Sequence, residues 1–247
     1  MKPTNEYIAP ELRGIREINC ELVILCGDSH GEWKALFKKI EHNKIENCLF
    51  CLVGDIGCGF EGGHEKDFVR YNQWFKSRNI EFIGIKGNHD YPPYFSGQYN
   101  YSHFKLLPDY TVIKINGEIW QFVGGAISVD RKYRVEGRDY WRDEIFVLDE
   151  SKAVKCDVLV THSSPPWLGP VTKSPFVQSF ADRDVHLISE LVDERNKIKR
   201  LYDICQPKKS YAGHFHQTFS TIYSNQKYEC RGKILDILEF EEYRKTI

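Results

Sequence analysis

The sequence predicts an α/β fold, organised as a single domain across all 247 residues. Short apolar runs end in Gly-Asp or Gly-Asn, and the first two are followed by residues with helical spacing. The runs also recur at roughly the 30-residue interval of a parallel strand-helix-strand crossover. A chain of this length can bury one large core but is short for two.

Residues 1–20 are read as an N-terminal extension. Glu21 to Cys26 is a short apolar strand leading into Gly27-Asp28, and Glu32 to Ile40 follows as a helix, with Trp33, Leu36, Phe37 and Ile40 on one face. The unit repeats: Cys48 to Val53 leads into Gly54-Asp55, and Glu65 to Lys76 carries Phe68, Val69, Tyr71, Trp74 and Phe75 at helical spacing. A third strand, Ile80 to Ile85, runs into Gly87-Asn88-His89-Asp90. Ligands of open α/β sheets bind beyond the carboxyl ends of the strands, so these three motifs are expected to meet in one crevice.

After Pro92-Pro93 the texture changes. Thr111 to Ile115 and Glu118 to Val123 flank Asn116-Gly117, a strong hairpin signal. Phe146 to Val154 is expected to be helical, Asp157 to Thr161 to be a strand delivering His162, and Asp184 to Leu201 to be a long helix. Strands are expected at Lys209 to Ala212, Phe215 to Tyr223 and Lys233 to Phe240, with Gly213-His214-Phe215-His216 at a turn between two of them. The segments 124–144 and 163–182 are too long and irregular for plain connectors, and are expected to be active-site loops.

A formal net charge of -1 gives no global reason to bind nucleic acid or an anionic membrane. The local basic clusters at Lys38-Lys39, Lys197 to Arg200 and Lys208-Lys209 are few, and the second reads as a solvated helical face. No run approaches the ~20 apolar residues of a membrane span, and Met1 to Arg16 has neither the apolar segment nor the cleavage site of a secretory signal. A cytoplasmic protein is expected. Cys48 and Cys51 have CxxC spacing, but an extended run points its two ends to opposite faces and no second pair follows at zinc-site spacing. Cys58, beside the second motif, is the thiol expected nearest the site.

Asp28, His30, Asp55, Asn88, His162, His214 and His216 form a set of hard-to-borderline donors suited to manganese, iron, zinc or nickel rather than calcium. Two ions close together need a shared ligand, and a carboxylate can bridge where an imidazole cannot. Asp55, central in the order of motifs, is the candidate bridge. Five of the nine histidines fall in these short stretches, a concentration that structural roles alone do not explain.

The order Asp-x-His, Gly-Asp, Gly-Asn-His-Asp, His and Gly-His-x-His resembles the calcineurin-like metallophosphoesterase family, from about Val23 to His216. The resemblance implies a four-layer α/β/β/α sandwich of two mixed sheets flanked by helices. It implies that Asp28, His30 and His216 hold one divalent ion and Asn88, His162 and His214 a second, with Asp55 between them and manganese the leading choice. It further implies hydrolysis of a phosphomonoester or phosphodiester by a water that the two ions acidify. His89 would act at the leaving-group oxygen as acid or stabilising donor, and Asp90 would either orient the His89 ring or cap the loop.

Where the protein phosphatases of this superfamily extend the second motif to Gly-Asp-x-x-Asp-Arg-Gly, this chain reads Gly54-Asp55-Ile56-Gly57-Cys58-Gly59-Phe60. The phosphate-clamping Arg is missing there, which disfavours a protein phosphatase. The 124–144 loop offers Arg131, Arg134 and Trp141 as substrate contacts, and is similar to a Ser-Val-Asp-Arg…Trp…Glu segment of small bacterial and phage members. An alternative has the loop arginines pairing with Asp130, Asp139 and Asp143. The expected substrate is a small phosphorylated molecule such as a nucleotide. A nuclease is a second reading, disfavoured by the charge balance, and a scaffold with the fold but no turnover is a third.

Overall fold

The computed structural model describes residues 16–60 and 65–244; residues 1–15 of the expected extension, and His64, lie outside the described residues. Alternation along the strands builds the layers. In one sheet β2 (Leu22–Cys26), β3 (Cys48–Leu52), β4 (Glu81–Gly84) and β5 (Phe104–Leu106) run parallel, and β12 (Phe240–Tyr243) joins antiparallel beside β2. Ile24, Cys26, Phe50, Leu52 and Phe82 face α1 (Trp33–His42) and α2 (Lys66–Lys76), which pack Trp33, Leu36, Ile40, Phe68, Tyr71 and Phe75 against them. The intervening residues Val23, Leu25, Leu49, Cys51 and Ile83 point the other way, into the second sheet. Cys48 and Cys51 therefore belong to different layers, as the extended run requires.

The second sheet has seven strands, ordered β1 (Arg16–Ile18), β6 (Thr111–Ile115), β7 (Glu118–Val123), β8 (Val158–Thr161), β9 (Lys209–Ala212), β11 (Glu229–Ile234) and β10 (Phe219–Ser224). Its inner face supplies Ile113, Ile115, Trp120, Phe122, Val158, Val160 and Tyr211 to the core between the sheets. Its outer face sets Val123 and Leu159 against Ile198, Leu201, Tyr202 and Cys205 of α4 (Leu187–Cys205). The result is a four-layer α/β/β/α sandwich. The β6-β7 hairpin turns at Asn116 and Gly117, with φ of 50° and 82°, the doubly left-handed backbone of a tight hairpin turn.

Several expectations need correction. Residues 146–154 are not helical: the Asp149 side chain accepts from Ser151 N–H at 3.1 Å, and Val154 N–H donates to Gln121 Oε1 at 3.1 Å, so side chains replace the helical ladder. The expected strand from Lys233 to Phe240 is two strands of different sheets, because Leu238 takes φ 53° and the chain crosses between layers at 235–239. The strand expected from Phe215 starts at Phe219, since 213–217 are used to present histidines. Part of the extension is an edge strand, β1, and the 163–182 segment carries a short helix, α3 (Pro175–Ala181), whose N-cap Ser174 hydroxyl accepts from Val177 N–H.

The basic residues of α4 are paired, Lys197 with Asp193, Lys199 with Asp203 and Arg200 with Glu150, so that cluster is a solvated face. No helix among the described residues is long and apolar enough to cross a membrane. Trp120, fully buried between the sheets, makes the sandwich core testable. Trp120→Ala should cost about 3–5 kcal/mol in urea unfolding of the metal-free protein; a cost below about 1 kcal/mol would show that the inter-sheet layer is not tightly packed.

Candidate metal centre

The carboxyl ends of five strands deliver the polar motifs to one place. β2, β3 and β4 lead to Asp28, Asp55 and Asn88, while β8 and β9 lead to His162 and to His214 and His216. The first two turns are bonded to each other: Ser29 and His30 N–H donate to Asp55 C=O at 3.0 and 2.8 Å, and Gly31 N–H to Ile56 C=O at 2.9 Å. His30, Asp55, His214 and His216 all have left-handed backbone, with φ of 46°, 46°, 70° and 48°. Such residues are uncommon outside glycine, and they gather where surrounding structure over-determines them. Gly87 and Gly213 allow the close approach, because a Cβ there would lie 2.1 Å from Asp55 Oδ1 and 2.1 Å from Asp28 Oδ1.

Asp28 and Asp55 are 0% and 1% exposed. Asp55 Oδ1 accepts His89 N–H at 2.8 Å and lies 3.2 Å from His162 Nε2. Asp28 Oδ2 accepts His214 N–H at 2.9 Å, while its Oδ1 is buried with no hydrogen-bond partner. Two donor groups result, Asp28-His30-Asp55-His216 and Asp55-His162-His214, each with ligand atoms within 4.8 Å of one another. Asp55 belongs to both. Asn88 Oδ1 sits 3.2 Å from His162 Nε2, beside the second group.

This arrangement fits divalent metal. An orphaned buried carboxylate oxygen is costly without a cation, and His30 Nε2 and His216 Nε2 converge to 2.8 Å on a common space. His162 Nδ1 donates to Val53 C=O at 2.9 Å, a bond that leaves Nε2 to face Asp55 and Asn88. Burial holds His30, His214 and His216 below the usual histidine range, so these rings are neutral near pH 7, the metal-binding form. Burial also works against charge on His162, but Asp55 and Asp28 outweigh it and lift the ring to about 10. Of the two carboxyls, burial holds Asp28 high, whereas for Asp55 the surrounding histidines overcome burial and hold it low.

His89 follows Asn88 and turns to a separate side. Its ring stacks on Phe60 with centroids 4.5 Å apart, and Arg134 Nη2 lies 2.7 Å from its Nε2. Burial, with the Arg134 charge adding to it, lowers His89 to about 4. Asp90 serves the loop rather than the His89 ring: its carboxylate accepts N–H bonds from Ile56, Cys58 and Gly87 at 3.1, 2.9 and 2.8 Å. That ties the second and third motifs together. Cys58 is buried and pushed well above the usual thiol range by burial, so it is a packing thiol.

Of the three proposed substrate contacts, the structure brings only Arg134 to the centre. Arg131 is held away by Asp184 at 2.6 Å and by Glu190. Trp141 is buried against Tyr91 and Phe60 and supports the loop from behind. The other loop arginines pair locally, Arg138 with Asp139 and Arg142 with Glu136, whereas Asp143 offers its carbonyl to Lys86 at 3.0 Å.

Ser128 and Glu144, the ends of the Ser-Val-Asp-Arg…Trp…Glu segment, support Asn88, a role that motif reading did not assign to them. Asn88 Nδ2 donates to Ser128 Oγ at 3.0 Å and Ser128 donates to Glu144, which fixes the amide with Oδ1 toward His162. Their signal was a polar residue inside the apolar run Ala126-Ile127-Ser128-Val129 and the acid that closes Arg142-Asp143-Glu144 just before Ile145-Phe146. The centre opens into a cavity of about 480 Å³ whose lining includes Asp55, Asn88, His89, Arg134, His214 and His216.

A family model described as calcineurin-like phosphoesterase matches residues 22–218. No curated protein sequence matches the chain. Among solved structures, TT1561 of Thermus thermophilus is similar over 91% of this chain and 98% of its own, with a TM-score of 0.48 and 11% identity. A 5'-nucleotidase precursor from the same organism is similar over 88% of this chain, with a TM-score of 0.43 and 11% identity. This chain spans 48% of that protein's length.

Two outcomes are expected. Asp55→Asn should abolish tight metal binding, measured by atomic emission after gel filtration; full retention of metal would place the shared ligand elsewhere. Glu144→Gln and Ser128→Ala should weaken metal affinity about 10–100-fold while preserving the fold, as loss of outer-shell support does.

Proposed function

We propose that this chain, which belongs to the calcineurin-like phosphoesterase family, uses a pair of divalent ions to hydrolyse a small phosphate ester. It is a metal-dependent phosphoric ester hydrolase. The observation that carries the two-ion reading is the presence of Asp55 in both donor groups. Asp28, His30 and His216 would complete one site, and Asn88, His162 and His214 the other. Manganese is the leading choice for this mixed set of three oxygen and four imidazole donors, with iron, zinc or nickel able to replace it. Divalent ions held there acidify a water and neutralise charge on the phosphoryl oxygens.

The chain's own residues divide the remaining work. Ser128 and Glu144 hold the Asn88 amide so that its oxygen faces the centre. Arg134, anchored by Asp130 at 2.8 Å, presents its guanidinium beside His89 and into the cavity, where it can pair with a phosphoryl oxygen. His89 lies against the same face; held at about 4 by burial and the Arg134 charge, it is a neutral ring near pH 7 and is assigned the role of a stabilising hydrogen-bond donor to the departing oxygen. Asp90 positions the loop that carries it.

A cavity of about 480 Å³ lies within the usual range for small-molecule pockets, ≈300–1,000 Å³, and supports a small monoester or diester, nucleotides included. The paired cations of α4 and the net charge of -1 weigh against a nuclease. The absence of an Arg in Ile56 to Phe60 weighs against a protein phosphatase. All eight cysteines are free thiols and seven are buried, which suits the reducing cytoplasm.

With manganese added, nitrophenyl phosphate or bis-nitrophenyl phosphate should turn over; metal-loaded protein inactive on both would favour the scaffold reading. His89→Ala should keep its metals and lose about 10²–10⁴ in kcat on esters with poor leaving groups, and much less on nitrophenyl esters. Equal losses across leaving groups would contradict a role at the departing oxygen. Arg134→Ala should lower kcat/KM about 10–100-fold, the size of effect expected for a charged hydrogen bond.

A further inference from the structure

The cavity does not end at the metal donors. Its outer wall is apolar, formed by Val129 of the loop after β7, Val171, Phe176, Val177 and Phe180 of the 163–182 segment, and Leu191 of α4. Val177 and Phe180 pack inward with Ile127, Leu187 and Leu191, which secures α3 against α4. Phe176 is differently placed. It is 66% exposed, meets the edge of the Phe180 ring at 5.2 Å, and stands at the rim with Val171, itself 75% exposed. Apolar surface kept in water beside a polar floor is surface that a bound group can cover.

Charge narrows what that group is. Among the described residues lining the cavity there is no lysine, and the two arginines are engaged. Arg195 donates to the carbonyls of Ser164, Pro165, Leu168 and Pro170. Arg134 pairs with Asp130 at the metal end. A second phosphate or a carboxylate in the outer part would meet no free cation among the described lining residues and would give up hydration without a partner there.

We propose that the outer part of the cavity is a leaving-group subsite for an uncharged aromatic group, with Phe176 its specificity-determining wall. The phosphate sits at the Asp55, Asn88 and Arg134 end, and the aromatic ring packs against Phe176 at the other. This assignment rests on the phosphoesterase reading of the same cavity. The volume admits a phosphate with a one- or two-ring substituent. Phe176 contributes through contact area and ring packing, so its removal should act on binding and leave chemistry alone.

Calorimetry on the manganese-loaded protein with (1-naphthylmethyl)phosphonate and methylphosphonate reads the subsite without turnover. The naphthyl compound should bind at least tenfold tighter, and Phe176→Ala should lose about tenfold of its affinity without changing that of methylphosphonate. Phe176→Leu should recover part of the loss, and Phe176→Asp should exceed it. In turnover, 1-naphthyl phosphate should show the same change in KM at constant kcat. Equal affinity for the two phosphonates, or a Phe176→Ala effect of the same size on both, would overturn the subsite. Tight naphthyl binding without hydrolysis of any ester would uphold the subsite and sink the phosphoesterase reading instead.

Discussion

The burial of two carboxylates side by side is the constraint on which this structure depends. Asp28 and Asp55 close adjacent parallel strands and are removed from water, an arrangement that costs several kcal/mol per ion unless cations or donors offset it. His89 and His214 N–H groups offset part, and His162, lifted to about 10, supplies positive charge between the two acids. Asp28 Oδ1 still has no partner. A divalent ion bound there would satisfy what the protein leaves unsatisfied, held by Asp28, Asp55 and the neighbouring histidines.

The same constraint explains the backbone. Left-handed residues at His30, Asp55, His214 and His216 turn their side chains toward the acids just after the strands end, and cross-turn bonds from residues 29–31 to Asp55 and Ile56 hold two of those turns together. Asp90 locks the third motif to the second with two backbone bonds, from Ile56 and Cys58, and braces its own loop with a third, from Gly87. Rigid strands fix the chain up to the site, and strained turns there give up some stability to pre-organise the donors.

Much of this was legible in the sequence, for identifiable reasons. Runs such as Glu21 to Cys26 and Cys48 to Val53 are buried on both faces, so their continuous apolarity marks strands, and the Gly-Asp or Gly-Asn after each marks the functional turn. The donor residues follow from chemistry that few other arrangements share. What stayed hidden depends on long-range partners: Phe146 to Val154 carries helix-like spacing, but Gln121 and Asp149 take its backbone bonds. Arg131 and Arg134 sit three residues apart in one loop, and only the position of α4, with Asp184 and Glu190 near its start, pulls Arg131 away. Ser128 and Glu144 matter through Asn88, a relation that no local pattern encodes.

The division of labour follows from these contacts. Strand ends set the reaction, while the 124–144 and 163–182 segments shape what reaches it. At the centre of both stands Asp55, which belongs to both donor groups. Anomalous diffraction from crystals grown with manganese tests this most directly: two peaks should flank the Asp55 carboxylate, one beside Asp28, His30 and His216 and the other beside Asn88, His162 and His214. A single peak at full manganese saturation, or two peaks of which only one contacts Asp55, would contradict the shared role.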